Sequence, residues 1–249
     1  AISAQQINYN VPGVSASTHL KLNGKVIAEM YLGKITKWND PAIAALNPGV
    51  NLPSTTVVPV HRSDSSGDTF LFTSFLSAAD STDWTVSPGT SVSFPTVSTA
   101  IGATKNSGML SACQHNTGCI AYIGISYLQK TAAANLGEAE LANSSGAYEL
   151  PTAATISAEA ASYSSVPSNG VQSMIYGSAA TGYPIVNFEY AIVLTNQSSS
   201  SKAGAIKDLL TWIISASGGA ASSYLGPVNF NPLPASAASV ATALINKIS

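Results

Sequence analysis

The sequence predicts an α/β fold. Short apolar strands alternate with amphipathic helical stretches along the whole chain, turns rich in Ser, Asp and Gly join strand to helix, and no internal repeat suggests a solenoid or propeller. The 249 residues suffice for one large domain or two small ones with a sizeable core. Charged residues make up only 9% of the chain, far below the roughly 25% of an ordinary soluble protein. Ser, Thr, Asn and Ala must therefore cover much of the surface.

The elements follow in order. Residues Ile2 to Asn10 read as a strand that ends at Val11-Pro12-Gly13, and Lys25 to Leu32 carries Val26, Met30 and Tyr31 at helical spacing. Asp40-Pro41 caps and opens a helix through Ile43 and Leu46, which stops at Asn47-Pro48-Gly49. Val57 to His61 is a short strand. Thr69 to Ala79 is a helix with Phe70, Phe72, Phe75 and Leu76 expected on its buried side. Met109 to Gln114 is helical, Cys119 to Ile125 a strand, and Ile156 to Tyr163 a helix. The longest apolar strand is expected over Ile185 to Leu194. Helical stretches at Lys202 to Ser215, Gly219 to Leu225 and Ala235 to Ile248 follow it, separated from it by the polar run Ser198 to Ser201.

Ten Lys and Arg against twelve Asp and Glu give a net charge of −2, without a basic run. Nucleic acid and anionic membrane surfaces demand clustered cations and are not expected partners. No stretch approaches the ~18 apolar residues of a membrane span. The chain opens without a basic and apolar leader, as a mature or trimmed end would. Cys113 and Cys119 bracket a turn-rich loop that can bring their sulfurs together, which implies one disulfide and an extracytoplasmic address.

The segment Val57 to Phe70 carries the most chemistry, because it joins a strand to a helix through His61-Arg62-Ser63-Asp64-Ser65-Ser66-Gly67-Asp68. A helix N-terminus offers free N–H groups and about half a positive charge, which suits a tetrahedral oxyanion. Gly67 allows close backbone approach, Ser66 adds a hydroxyl, and Arg62 adds a fork matched to phosphate oxygens. Asp64 stands where it can orient Arg62. The same residues also make an ordinary helix cap with a surface arginine. The loop lacks the Gly-Lys-[Ser/Thr] of a Walker A motif and is not a nucleophile elbow. His61, Asp64 and Ser66 supply the residue types of a hydrolytic triad, but on one strand and turn they cannot place imidazole between hydroxyl and carboxylate. His115 between the cysteines suggests a Cys-x-His-x3-Cys metal site without a fourth ligand; His19 is isolated. Trp38, Trp84, Trp212, Tyr122, Tyr183 and Tyr190 could line a sugar cleft, although core packing accounts for them more simply.

Tyr31-Leu32-Gly33-Lys34-Ile35-Thr36-Lys37-Trp38-Asn39-Asp40-Pro41, continuing to Gly49, resembles the phosphate-binding proteins of high-affinity phosphate ABC transporters. The segment from His61 to Phe70 resembles that family's anion loop, Arg-x-Asp-Gly-Ser-Gly-Thr, with Ser65 in place of Gly and Asp68 in place of Thr. Gly118 to Gly124 and Gly182 to Val193 continue the likeness in order. The resemblance implies a periplasmic-binding-protein-like, type II, two-lobed fold that closes on its ligand. It assigns phosphate to Arg62, Ser66, Gly67 and Asp68, with Asp64 orienting Arg62. It places the second lobe and first crossover in residues 1–184 and a return segment of the first lobe in 185–249. Nothing in the chain matches the family's Thr-Gly-Ser-Gly-Ala and Ala-Ser-Asp loops, so the first lobe is expected to be incomplete.

The function expected on these grounds is extracytoplasmic capture of inorganic phosphate and delivery to a membrane permease, without catalysis or cofactor. A cell-surface location through a lipid anchor outside this chain is part of the same implication. The rivals are a phosphoester hydrolase using the Arg62 and Ser66 site, which would need metal-binding carboxylates not visible in the sequence, and a surface antigen or adhesin that has kept the fold without the ligand.

Overall fold

The computed structural model describes residues 1–249. Strand β1 (Ile2–Asn10) is its spine. All but the last of its residues are buried, including the polar Ser3, Gln5, Gln6 and Asn8, so it has no solvent face. β2 (Lys21–Leu22) leads to α1 (Gly24–Tyr31), where the Asn23 side chain accepts the Val26 amide at 2.9 Å. α2 (Pro41–Leu46) starts as its sequence dictates, with Asp40 Oδ1 accepting from Ala42 N at 2.9 Å and proline in the first turn.

β3 (Val58–Arg62) runs into α3 (Gly67–Ala79), and β4 (Ile101–Ala103) into α4 (Lys105–His115). β5 (Cys119–Gly124), buried throughout, precedes α5 (Leu128–Ala133) and the short strands β6 (Gly137–Glu138), β7 (Glu140–Ala142) and β8 (Tyr148–Glu149). Then come α6 (Ala153–Ala161), β9 (Met174–Ile175), β10 (Ile185–Phe188), α7 (Ser200–Ile214), α8 (Ser222–Leu225) and α9 (Ala235–Asn246).

The main sheet has the order β4-β3-β5-β1-β10-β9, with β6 also paired to β1; β2, β7 and β8 form a second sheet. β3 is parallel to β4 and β5, whereas β1 is antiparallel to β5 through Gln5–Asn10 and to β10 through Ile2–Ala4. One strand thus changes partner midway, which puts the end of β5, the start of α3 and the start of β10 around one point. Helices follow the C-terminal ends of the parallel strands, where α/β sheets place their ligands. A contiguous core of 41 buried residues draws on Ile2 to Phe188 and takes only Ala237 from beyond. Tyr31 locks it by donating to the Val60 and Ile120 carbonyls at 2.8 and 3.2 Å, and Trp38 Nε1 donates to Gly118 O at 2.8 Å.

Two expectations are corrected. The strand foreseen over residues 185–194 ends at Phe188, because its partner β1 ends at Ile2, opposite Phe188. Beyond it Tyr190, Ile192 and Leu194 are exposed, Ile192 almost completely at 98%. Phe70 lies outside the buried face of α3, which is made by Thr69, Phe72, Thr73, Phe75 and Leu76, and is 46% exposed. Trp38, Trp84, Tyr122 and Tyr183 are core residues as packing suggested, but Tyr190 and Trp212 are half exposed. α5 and the strands β2, β4 and β6–β9 were not foreseen.

Candidate functional site

β3 is a central strand whose last residue, Arg62, reaches the strand-to-helix turn. Four residues on, Ser66 adopts extended backbone and its Oγ accepts the Asp68 amide at 3.1 Å, capping α3. The Gly67 amide donates to no protein group, and a Cβ on Gly67 would meet only open space. Helix N-terminal amides, a serine hydroxyl and an open glycine thus share one surface.

Arg62 lies behind that surface with its side chain only 8% exposed. Its Nε and Nη2 donate to the two carboxylate oxygens of Asp64, each at 2.6 Å, and Nη1 donates to Asp68 Oδ2 at 3.2 Å. Of the five N–H donors of a guanidinium, these three bonds leave one hydrogen on each terminal nitrogen. The Arg62 amide donates to the Tyr122 hydroxyl at 2.9 Å, and that hydroxyl lies 3.0 Å from Thr69 Oγ1. Burial pushes the Tyr122 phenol up to about 12.

The two carboxylates have opposite environments. Hydrogen bonding to Arg62 and to the Lys105 amide holds Asp64 well below the usual carboxylate range. Burial pushes Asp68 upward, against the attraction of Arg62 and the hydrogen bond from Asn106. The trio carries one positive and two negative charges, so an anion here must rely on neutral donors or bring a proton of its own.

Asp68 forms part of the wall of a cleft of about 590 Å³, together with Ser66, Gly67, Asn106, Gly124 and Glu189. Leu71, Val186 and Phe188 give it apolar sides. Ser3 Oγ links the far wall, 2.7 Å from Asn187 Oδ1 and 2.5 Å from Glu189 Oε1. The structure therefore brings Ser66, Gly67 and Asp68 to the cleft surface and stacks Arg62 and Asp64 behind them. Asn106, Gln5 and Glu189 belong to the surroundings and were missed from the sequence. Gln5 Nε2 donates to the Asp68 carbonyl at 2.9 Å from the middle of β1, a position that reads as core. Asn106 sits in the first turn of α4, ahead of the point where apolar spacing reveals a helix.

His61 stacks on Phe94 with ring centroids 4.4 Å apart and its Nδ1 is 3.2 Å from Arg62 O, an arrangement that makes no triad with Ser66 and Asp64. Cys113 and Cys119 are disulfide-bonded and tie α4 to β5, while His115 Nδ1 lies 2.8 Å from Ser111 O. The sulfurs are thereby withdrawn from the metal site that the Cys-x-His-x3-Cys spacing allowed. No helix is long and apolar enough to cross a membrane.

A family model for the PBP superfamily domain matches residues 7–217. The phosphate-binding protein PstS of Methanocaldococcus jannaschii is 32% identical over 99% of this chain and 66% of its own length. PstS of Pasteurella multocida is 34% identical over 82% of this chain and 58% of its own, and PstS 3 of Mycobacterium bovis 32% over 92% and 60%. The chain thus spans about three fifths of the relatives it matches. Among solved structures, a high-affinity periplasmic phosphate-binding protein bound with phosphate superposes with a TM-score of 0.73 at 20% identity, covering 97% of this chain and 69% of that one. The phosphate-binding protein from Stenotrophomonas maltophilia gives 0.68 at 19% identity, covering 97% and 68%. Fold and sequence agree: the chain belongs to the PBP superfamily, alongside the PstS phosphate-binding proteins.

Proposed function

We propose that this protein binds inorganic phosphate outside the cytoplasm and hands it to a membrane permease, acting as a receptor without chemistry of its own. The observation that carries the reading is the anion loop at the cleft, with Ser66 and the α3 amides in front and a carboxylate-clamped Arg62 behind. Ser66, Gly67 and Asp68 contact the anion at the cleft surface, Arg62 reaches it from behind through the hydrogens left on its terminal nitrogens, and Asp64 fixes the fork. Residues 1–184 form the second lobe with the first crossover, and residues 185–249 the segment that returns to the first. A lipid anchor outside this chain would hold it at the cell surface. The names of the relatives support the ligand and the address.

The charge balance of the trio also selects the ligand. Phosphate near neutral pH keeps at least one proton and can donate it in a hydrogen bond to Asp68, whereas sulfate is fully ionised and meets a carboxylate without a donor. Calorimetric titration of the protein with phosphate and with sulfate at equal ionic strength is expected to show binding of phosphate alone. Asp68→Asn is expected to narrow the difference. Absence of phosphate binding removes the reading, and an unchanged preference in Asp68→Asn returns Asp68 to a helix-capping role.

A further inference from the structure

The first turn of α4 holds one of the two carboxylates that clamp Arg62 and lies beside the other. Lys105 is in the left-handed region with φ of 59°, a conformation that costs a non-glycine residue energy, and its amide points at Asp64, 3.2 and 3.3 Å from Oδ1 and Oδ2. One residue later, Asn106 Oδ1 accepts the Gly124 amide at 3.2 Å. That bond fixes the amide orientation, because with Oδ1 occupied by an N–H donor the Nδ2 group must face the other way. It faces Asp68: a Cβ built on Gly124 would lie 3.0 Å from Asn106 Nδ2 and 3.6 Å from Asp68 Oδ1, so the three groups meet at one point of the cleft wall.

We infer that Asn106 is a positioning residue of the anion site, aiming the Asp68 carboxylate by donating to it from an amide locked on Gly124. The inference rests on the phosphate reading only for what Asp68 does with a ligand; the Asn106–Asp68 link rests on the place the two side chains share beside Gly124. The other charged or titratable groups near Asp68 are Arg62 from β3, Tyr122 from β5 and Glu189 beyond β10. Arg62 favours the ionised carboxylate, and Glu189 and burial oppose it. Asn106 and Gln5 are the neutral donors in this balance, Asn106 the stronger, so its removal tips Asp68 toward the protonated form. Gly124 has a role of its own, since a side chain there would press on the amide that does the orienting.

The test is carbon-detected NMR titration of the Asp68 carboxyl in the protein without ligand. Asn106→Ala is expected to raise the protonation constant of Asp68 about tenfold, the size of one lost hydrogen bond to a charged group. Gly124→Ala, which keeps Asn106 but crowds its amide, is expected to move it in the same direction and serves if Asn106→Ala folds poorly. Asn106→Ser, which keeps a short donor, is expected to recover part of the shift. An unchanged Asp68 titration in folded Asn106→Ala or Gly124→Ala overturns the inference. Phosphate calorimetry on the same proteins separates the two claims: a moved titration with no phosphate binding even in the parent upholds Asn106 as a positioning residue and removes the phosphate function.

Discussion

Arg62 offers its Nε edge to Asp64 and one terminal nitrogen to Asp68, so its replacement should act on the ligand more than on the fold. Arg62→Ala is expected to weaken phosphate binding by at least ~2 kcal/mol, the cost of losing a charge-assisted bond to a buried anion and leaving two carboxylates uncompensated. Arg62→Lys should recover only part, because a point charge cannot reproduce the fork. Calorimetry decides, and an unchanged dissociation constant for Arg62→Ala would return the loop to a helix cap. A second residue, Glu138, tests the electrostatics away from the cleft. Burial raises its carboxyl from 4.5 to about 7, and its Oε1 has no partner. A raised carboxyl favours the protonated folded state, so its contribution to stability is fully present below about 4.5 and lost as the pH rises through about 7. Glu138→Gln is therefore expected to gain up to about 3 kcal/mol on the parent at pH 8 and nothing at pH 4, read by urea unfolding at the two pH values. The loop residues Arg62, Asp64, Ser66 and Gly67 were legible in the sequence because a strand-to-helix turn declares its amides and its fork. Asn106, Gln5 and Glu189 were not, since only the sheet's long-range pairing brings residues so far apart in sequence together.

At the scale of elements, the clearest constraint is the turn between α4 and β5. Gly118 has φ of +85°, and a Cβ there would fall 2.0 Å from Thr56 O, so both backbone and space require glycine. Gly118→Ala is expected to destabilise by ~2 kcal/mol or more. The Cys113–Cys119 bond closes this turn, and on the chain-entropy estimate so short a loop contributes roughly 2 kcal/mol. Dithiothreitol should lower the thermal midpoint accordingly, whereas two alkylatable thiols in the unreduced native protein would contradict both the bond and the oxidising address. Elements with strong local signals were read correctly: Asp40-Pro41 sets α2, and the Ser66 cap starts α3. The two-residue strands β2, β6, β8 and β9 have too little sequence to show alternation and exist only through their partners. The run from Ile185 to Leu194 misled for the opposite reason. Its apolar character is that of a strand, but pairing stops at Phe188 where β1 ends.

At the scale of the whole molecule, the uneven core decides how the protein should unfold. Residues 189–249 add only Ala237 to the main core, and α7 buries only Ala203 while leaving Leu209, Trp212 and Ile213 at the surface. Amide hydrogen exchange should therefore find α7 and α9 opening well before β1 and β5. If phosphate binds across the cleft, it should raise the thermal midpoint with concentration by mass action, and sulfate should not. Uniform protection across both regions would show that the C-terminal helices are held more firmly than their burial implies. The segment after β10 has one more consequence. The amides of Tyr190 to Leu194 donate to no backbone carbonyl, while Tyr190, Ile192 and Leu194 stand alternately out of the chain. Such a stretch, without charge or proline, is a template on which a like strand from another molecule can lay itself. In storage, turbidity should grow steeply with protein concentration, and a lysine gatekeeper at Ile192 should keep the solution clear.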